Sequence, residues 1–99
     1  YTAAIKNIPV IYVICNNQSY RVLKVNMDIY KDLVLGETKN QSKYLAMDFP
    51  TALNMAGLAE AMGVKGVRVT DPSKIGPELT KAIESNKPVV LDISIDGSL

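Results

Sequence analysis

The hydrophobic residues of the chain fall into three short runs that predict β-strands. Residues 10–15 are six apolar residues in a row, a pattern typical of a parallel strand buried on both faces. Residues 64–70 alternate valine with glycine and arginine, and residues 89–95 form another largely apolar run behind a proline. Both patterns predict further strands.

Segments with helical spacing separate these strands. Residues 20–33 place apolar side chains at near-helical intervals and predict a helix. A second helix is predicted to be capped by Asp48 and to stop at Gly63. A third is predicted to open at Asp71 and to kink or restart at Pro77, because proline interrupts a continuous helix.

The alternation of strands and helices predicts an α/β fold with a mostly parallel sheet flanked by helices. Residues 34–47 show no period and are predicted to be a loop, the least ordered internal segment. Residues 1–6 have the pattern of a helix tail, so the chain is expected to begin within a fold that is incomplete at its N-terminus. A thin sheet of three strands favours the same interpretation, and a trimmed N-terminus is the alternative.

Composition narrows the classes of function. The 99 residues suffice for one small domain, and a formal net charge of +1 gives no electrostatic footprint for nucleic acid or an anionic membrane. With one cysteine and no histidine, an internal disulfide and a zinc cluster are excluded, and the commonest general base is absent. We expect a soluble domain of a reducing compartment, the cytoplasm, with Cys15 as an inert thiol in the core.

A polar cluster follows the first predicted strand at residues 16–19. Ligands of open α/β sheets bind at the carboxyl ends of the strands, and amide and carbonyl oxygens suit Mg²⁺. The Asn17 side chain and the backbone carbonyl of Ser19 could form half of a metal–diphosphate site, with N–H groups of the next helix holding the phosphates. The alternative is an ordinary turn, which asparagine favours, and the Asn16 side chain is expected to point toward it.

Residues 2–20 resemble the second half of the thiamine-diphosphate-binding motif. In that family a helix with Thr-Ala leads through Pro-Val or Pro-Thr into an apolar strand that ends in Asn-Asn; this chain has Thr-Ala at 2–3, Pro-Val at 9–10 and Asn-Asn at 16–17. The rest is similar to the remainder of the family's diphosphate-binding domain, through Asp-Phe and Leu-Ala-x-x-x-Gly in residues 48–63 and a closing Pro-Val-Val-Leu-Asp-Ile strand. The resemblance covers nearly the whole chain, implies the family's three-layer fold, and is nearest to benzoylformate-decarboxylase-like and acetolactate-synthase-like enzymes.

The resemblance also implies roles for individual residues. Asn17 is similar to the asparagine whose side-chain oxygen binds Mg²⁺, and Ser19 to the residue whose backbone carbonyl binds the same ion. Tyr20 follows at the diphosphate end of the site, and no catalytic residue is implied in this chain. The residues implied to border the substrate pocket are Val22, Leu23 and Asn26.

The function that the resemblance implies is that of part of an enzyme. Residues 1–99 would be the C-terminal segment of a diphosphate-binding domain in a thiamine-diphosphate- and Mg²⁺-dependent 2-oxoacid decarboxylase or carboligase. The first glycine is Gly36, so the family's metal-binding Gly-Asp-Gly would lie outside this chain. The resemblance implies that the activating glutamate belongs to another of the remaining domains of the enzyme, which would be a homo-oligomer, a dimer or tetramer. The alternatives are a non-catalytic α/β ligand-binding or regulatory module and a structural fragment without a ligand.

Overall fold

The structure, a computed structural model, describes residues 1–36 and 44–98. Half of the loop predicted over residues 34–47 therefore lies outside the described residues. Within the described ranges, none of the helices is long and apolar enough to cross a membrane.

The chain forms two compact units. The sheet unit comprises Tyr1–Asn16 and Asn54–Ile95, and the helix unit comprises the described residues of Asn17–Leu53 and Asp96–Leu99. The elements in chain order are α1 (Thr2–Lys6), β1 (Ile11–Asn16), α2 (Arg21–Leu33), α3 (Met55–Ala61), β2 (Lys65–Val69), a 3-10 turn (Pro72–Lys74), α4 (Ile75–Ser85) and β3 (Val89–Ser94).

β3 is the central strand of the sheet unit. The three strands are parallel and lie in the order β1-β3-β2. Because side chains alternate along a strand, Leu91 packs with Ala82 of α4 on one face of the sheet, and Val90 packs with Ala59 of α3 on the other. Helices therefore cover both faces, and the predicted α/β fold with a parallel sheet is confirmed.

β1 differs from its prediction. The sequence predicts burial on both faces, but Tyr12 and Val13 are 49% and 51% exposed. Cys15 is also exposed, so the prediction of a core thiol is wrong. The reason is the position of the strand: among the described residues β1 pairs only with β3, so it forms an edge of this sheet and its apolar side chains are only partly covered.

Short polar side chains start the helical segments of the sheet unit. Asn54 accepts a backbone hydrogen bond at 2.8 Å and caps α3. Asp71 accepts from the N–H of Ser73 at 3.0 Å and opens the 3-10 turn before α4, as predicted. The prediction that Asp48 caps the second helix is wrong, because Asn54 holds that position.

The ends of the helices follow the sequence closely. Gly63, with a φ of 81°, follows α3, and Asn7, with a φ of 50°, closes α1. α4 begins two residues before Pro77, after the 3-10 turn, so the predicted restart is present. The proline lies in the first turn of the helix, where its missing N–H costs no intrahelical hydrogen bond.

The contact between α3 and β2 leaves no room for a side chain at Gly66. A Cβ atom there would lie 2.1 Å from the carbonyl oxygen of Ala56 in α3. We expect Gly66→Ala to lower the free energy of unfolding by about 1–3 kcal/mol or more, because a clash with backbone cannot be relieved by a change of rotamer. Urea unfolding measures the effect, and wild-type stability would contradict this packing.

Gly76→Ala in α4 is the matched control for that substitution. Nothing lies within 4 Å of the Cβ atom that alanine would add, and the backbone φ of this glycine is not positive. Alanine also favours a helix over glycine, so we expect no loss and a gain of up to about 1 kcal/mol.

Candidate metal and cofactor site

Asn17 directly follows β1, and its side chain closes the turn into α2. Its Oδ1 accepts a hydrogen bond from the backbone N–H of Ser19 at 3.1 Å, and Gln18 between them has a left-handed φ of 53°. This is the ordinary turn that is the alternative prediction to a metal site. The two are compatible, because an amide oxygen has two lone pairs and this hydrogen bond uses one of them.

Ser19 is held from the other side by a short antiparallel bridge to Asp48. The N–H of Tyr20 donates to the carbonyl of Met47 at 2.8 Å, and the N–H of Phe49 donates to the residue before Ser19 at 3.0 Å. The Ser19 hydroxyl also donates to the Met47 carbonyl at 3.2 Å. These bonds fix the backbone around Ser19.

The bridge orients Ser19 so that its carbonyl oxygen and the side-chain oxygen of Asn17 lie on one side of the turn. It uses neither the N–H nor the carbonyl of Ser19, so both groups point away from residues 47–49. The N–H is directed at the side-chain oxygen of Asn17, and in an extended residue the carbonyl faces the same edge as the N–H. The Ser19 carbonyl and the Asn17 amide oxygen therefore lie on the same side of the chain, where both could contact one cation.

Gly97 packs against the backbone of the same turn. A Cβ atom at Gly97 would lie 2.3 Å from the carbonyl oxygen of Asn17. Nearby, the Arg21 Nε donates to the carbonyl of Ser98 at 2.8 Å, and hydrogen bonds from Ser98 lower the pKa of the Asp96 carboxyl below its ordinary value. Sequence analysis missed this contact; its only signal is a glycine shortly after the last strand.

Lys24 is the buried residue of α2. It is 7% exposed, and its ammonium group donates to the Asp48 carboxylate in an ion pair. That hydrogen bond lowers the pKa of the Asp48 carboxyl below its ordinary value, so the carboxyl is ionised at neutral pH. The sequence carries no signal for this role, because lysine in a helix is usually solvated.

A second contact lies further along the same side of α2. The Tyr44 hydroxyl donates to the Asp28 carboxylate, and the Lys31 ammonium lies 5.5 Å from the centroid of the Tyr44 ring. The hydrogen bond to Asp28 raises the pKa of the Tyr44 hydroxyl, because the neutral phenol is the form that donates. Tyr44 and Asp48 thus hold their segment to the charged side of α2.

Two of the predicted pocket residues, Val22 and Asn26, lie on the side of α2 opposite Lys24, and Leu23 lies between the two sides. Val22 is 71% exposed and Leu23 is 49% exposed, and Asn26, one turn after Val22, is exposed as well. Tyr20 precedes the helix, and its ring meets Phe49 edge to face with the ring centroids 5.0 Å apart. The structure therefore brings Asn17, Ser19 and Tyr20 together in one turn and places the three pocket residues just after it.

The Asn16 side chain points into the sheet unit, so the prediction that it faces the turn is wrong. Its Nδ2 donates to Oδ1 of Asp92 at 3.0 Å, and Oδ2 of Asp92 accepts from the N–H of Met55 at 3.1 Å. Asp92 has no exposed surface (0%). Sequence analysis missed this carboxylate, whose signal is an acidic residue within an apolar strand.

Comparison with known protein families identifies the family of the chain. Residues 1–93 match the family described as thiamine pyrophosphate enzyme, C-terminal TPP binding domain. The chain belongs to this family. Thiamine pyrophosphate is another name for thiamine diphosphate, so the resemblance found in the sequence is confirmed.

Three relatives of this thiamine pyrophosphate-binding domain support the assignment. YdaP of Bacillus subtilis (strain 168), described as a thiamine pyrophosphate-containing protein, is 30% identical over 94 residues, 95% of this chain and 14% of the relative. A Methanococcus aeolicus protein described as an acetolactate synthase large subunit is 30% identical over 97 residues, and an acetolactate synthase of Bacillus subtilis (strain 168) is 25% identical over 97 residues. Each of these alignments covers 98% of the chain and 15% of the relative. The chain thus spans less than a sixth of these relatives.

The thiamine pyrophosphate-binding domain offers neutral oxygens to a metal. Among residues 1–36 and 44–98, no three His, Cys, Asp or Glu side chains are placed to hold a metal ion. Asn17 and Ser19 present an amide and a carbonyl oxygen on one side of the turn. These two oxygens fit a Mg²⁺ ion that takes its other ligands from phosphates, water and a carboxylate beyond the described residues.

Proposed function

We propose that the chain anchors Mg²⁺ and thiamine diphosphate in an enzyme that decarboxylates a 2-oxoacid or joins it to a second carbonyl compound. The observation that carries the proposal is the turn after β1, in which the Asn17 amide oxygen and the Ser19 carbonyl face the same side. Two of the relatives are described as acetolactate synthases, which favours a carboligase of that kind. Benzoylformate-decarboxylase-like chemistry is the second form of the same proposal.

Each residue of the turn has a distinct part in this proposal. The Asn17 Oδ1 and the Ser19 carbonyl bind Mg²⁺, and the ion binds the diphosphate. Tyr20 precedes α2 without capping it through its side chain. The N–H groups of Leu23 and Lys24 donate to the Tyr20 carbonyl, which leaves those of Arg21 and Val22 to face the phosphates. When bound, thiamine diphosphate supplies the carbon nucleophile that attacks the ketone carbonyl of the substrate; this chain orients the cofactor and does not itself perform that step.

The exposed side of α2 would form one wall of the substrate pocket. Val22 and Leu23 supply apolar surface that the described residues do not cover. Asn26 lies one helical turn after Val22, and its amide can bind a polar group of the substrate. Apolar walls with a few polar groups are typical of small-molecule sites.

The proposal assigns the rest of the enzyme to other segments of the protein. The chain, residues 1–99, would be the C-terminal segment of the diphosphate-binding domain, and the relatives extend well beyond it. The carboxylate ligand of the metal, the glutamate that activates the cofactor, and the subunit contacts of a dimer or tetramer would come from those other segments.

Calorimetric titration of thiamine diphosphate tests the proposed function. In the protein that carries this chain, we expect binding that requires Mg²⁺ and is lost when EDTA removes the metal, because phosphate groups share that ion with the protein. Turnover of a 2-oxoacid should follow the same metal dependence, whereas the isolated chain should be inactive, since it lacks groups that stabilise the transition state. A protein that binds no thiamine diphosphate with Mg²⁺ present would instead support a non-catalytic module.

A further inference from the structure

We propose that Lys24 is a positioning residue of the metal site, which it controls through Asp48 without contacting the metal itself. This inference rests on the proposed function, because it concerns how the chain holds the Ser19 carbonyl that would bind Mg²⁺. The contacts that carry it all lie within the helix unit.

The first observation is the burial of a charged side chain that forms an ion pair with one carboxylate. Lys24 is 7% exposed, and its ammonium group pairs with Asp48, whose side chain is 64% exposed. Burial takes the Lys24 ammonium out of water, and a carboxylate that itself remains largely in water returns only part of that cost, so this pair adds little net stability. Stability therefore does not explain the ion pair. The structure offers another role, which is to fix the position of Asp48.

The second observation is the place of Asp48. It lies directly opposite Ser19 in the antiparallel bridge, and the flanking hydrogen bonds run from Tyr20 to Met47 and from Phe49 to the residue before Ser19. When Lys24 fixes Asp48 against α2, it fixes the strand that holds Ser19. The bridge in turn directs the Ser19 carbonyl away from residues 47–49, toward the side of the Asn17 oxygen.

The chain of contacts therefore runs from α2 to the metal ligand in two steps. Lys24 binds Asp48, and the backbone of Asp48 and its neighbours holds Ser19. Groups that orient a metal ligand without touching the metal commonly change its affinity by about 10–100-fold when they are removed. Because Lys24 lies on the helix whose first turn would face the phosphates, it also ties the metal ligand to the diphosphate end of the site.

The experiment measures Mn²⁺ binding to the intact enzyme by electron paramagnetic resonance, at saturating thiamine diphosphate. We expect Lys24→Met to raise the Mn²⁺ dissociation constant roughly tenfold, because methionine fills the buried space but does not hold Asp48. Lys24→Arg keeps the charge and should restore binding to within about threefold of wild type. Unchanged Mn²⁺ binding in folded Lys24→Met would overturn the inference.

Lys31→Met is the matched control. Lys31 lies on the same side of α2 and approaches the Tyr44 ring, but within the described residues it forms no ion pair with Asp48. We therefore expect the Mn²⁺ dissociation constant of Lys31→Met to equal that of wild type. A merely structural role for Lys24 would lower the Tm and leave the dissociation constant of the folded protein unchanged. If Lys24→Met does not fold, Asp48→Asn replaces it, because an exposed side chain tolerates that change, and the same increase is expected.

Asn17→Ala separates this inference from the proposed function. If Asn17→Ala weakens Mn²⁺ binding and Lys24→Met does not, only the role of Lys24 is wrong. If Asn17→Ala leaves Mn²⁺ binding unchanged, the proposed metal site itself is wrong and the role of Lys24 is wrong with it.

Discussion

Asn17→Ala is expected to weaken binding of thiamine diphosphate and of Mg²⁺ together, by roughly tenfold or more for each. The substitution removes one of the oxygen ligands of the ion. Water can take its place in the coordination sphere, but water does not fix the metal to the protein, so the diphosphate loses its anchor. Titration of the cofactor at fixed Mg²⁺, and of Mg²⁺ at fixed cofactor, measures the two losses.

Three further variants identify the atom that is responsible. Asn17→Asp keeps an oxygen at the same position and should bind the metal close to wild type, since Mg²⁺ accepts carboxylates. Ser19→Ala should matter little, because only the backbone carbonyl is assigned to the metal and the hydroxyl contributes one hydrogen bond to Met47. Asn16→Ala should lower stability and keep cofactor affinity, because its side chain binds Asp92. Wild-type affinity in Asn17→Ala with a loss in Ser19→Ala would show that the ligands are assigned to the wrong atoms.

Asp92→Ala is expected to lower the free energy of unfolding by about 3–5 kcal/mol, because it leaves one buried and one partly buried donor without their acceptor. The donors are the side chain of Asn16 at the end of β1 and the N–H of Met55 at the start of α3. Asp92→Asn should cost less, about 1–3 kcal/mol, because its amide can still accept one of the two hydrogen bonds. Urea or thermal unfolding of the protein measures both effects.

Asp96→Ala is the control for the buried carboxylate. Asp96 is exposed and its partner Ser98 is exposed as well, so we expect a change within about 0.5 kcal/mol, as for most surface substitutions. If Asp92→Ala were no more destabilising than Asp96→Ala, the Asp92 carboxylate would not hold β1 and α3 to the central strand.

The central part of the fold follows from local patterns in the sequence. β3 is a largely apolar run, interrupted by Asp92, and lies between two strands with helices on both faces, which is the environment that such a run predicts. β1 has an equally apolar run, yet Tyr12 and Val13 are half exposed. An apolar pattern indicates that a strand can be buried, but it does not indicate which segment of the chain will cover the strand.

The candidate site also has a part that the sequence predicts and a part that it does not. The turn at Asn17 and Ser19 is predictable because its hydrogen bond joins residues two positions apart. The contact that supports the turn joins residues far apart in the chain, because Lys24 and Asp48 are separated by 24 positions. No periodicity pairs such residues, so the sequence predicts the turn and misses the side chains that position it.

A crystal structure of the intact enzyme with thiamine diphosphate and Mg²⁺ tests the central claim most directly. The account predicts that the Asn17 Oδ1 and the Ser19 carbonyl oxygen both lie about 2.0–2.1 Å from the ion, in octahedral coordination completed by phosphate oxygens and other groups. An ion bound at the diphosphate without either of these oxygens in its coordination sphere would contradict it.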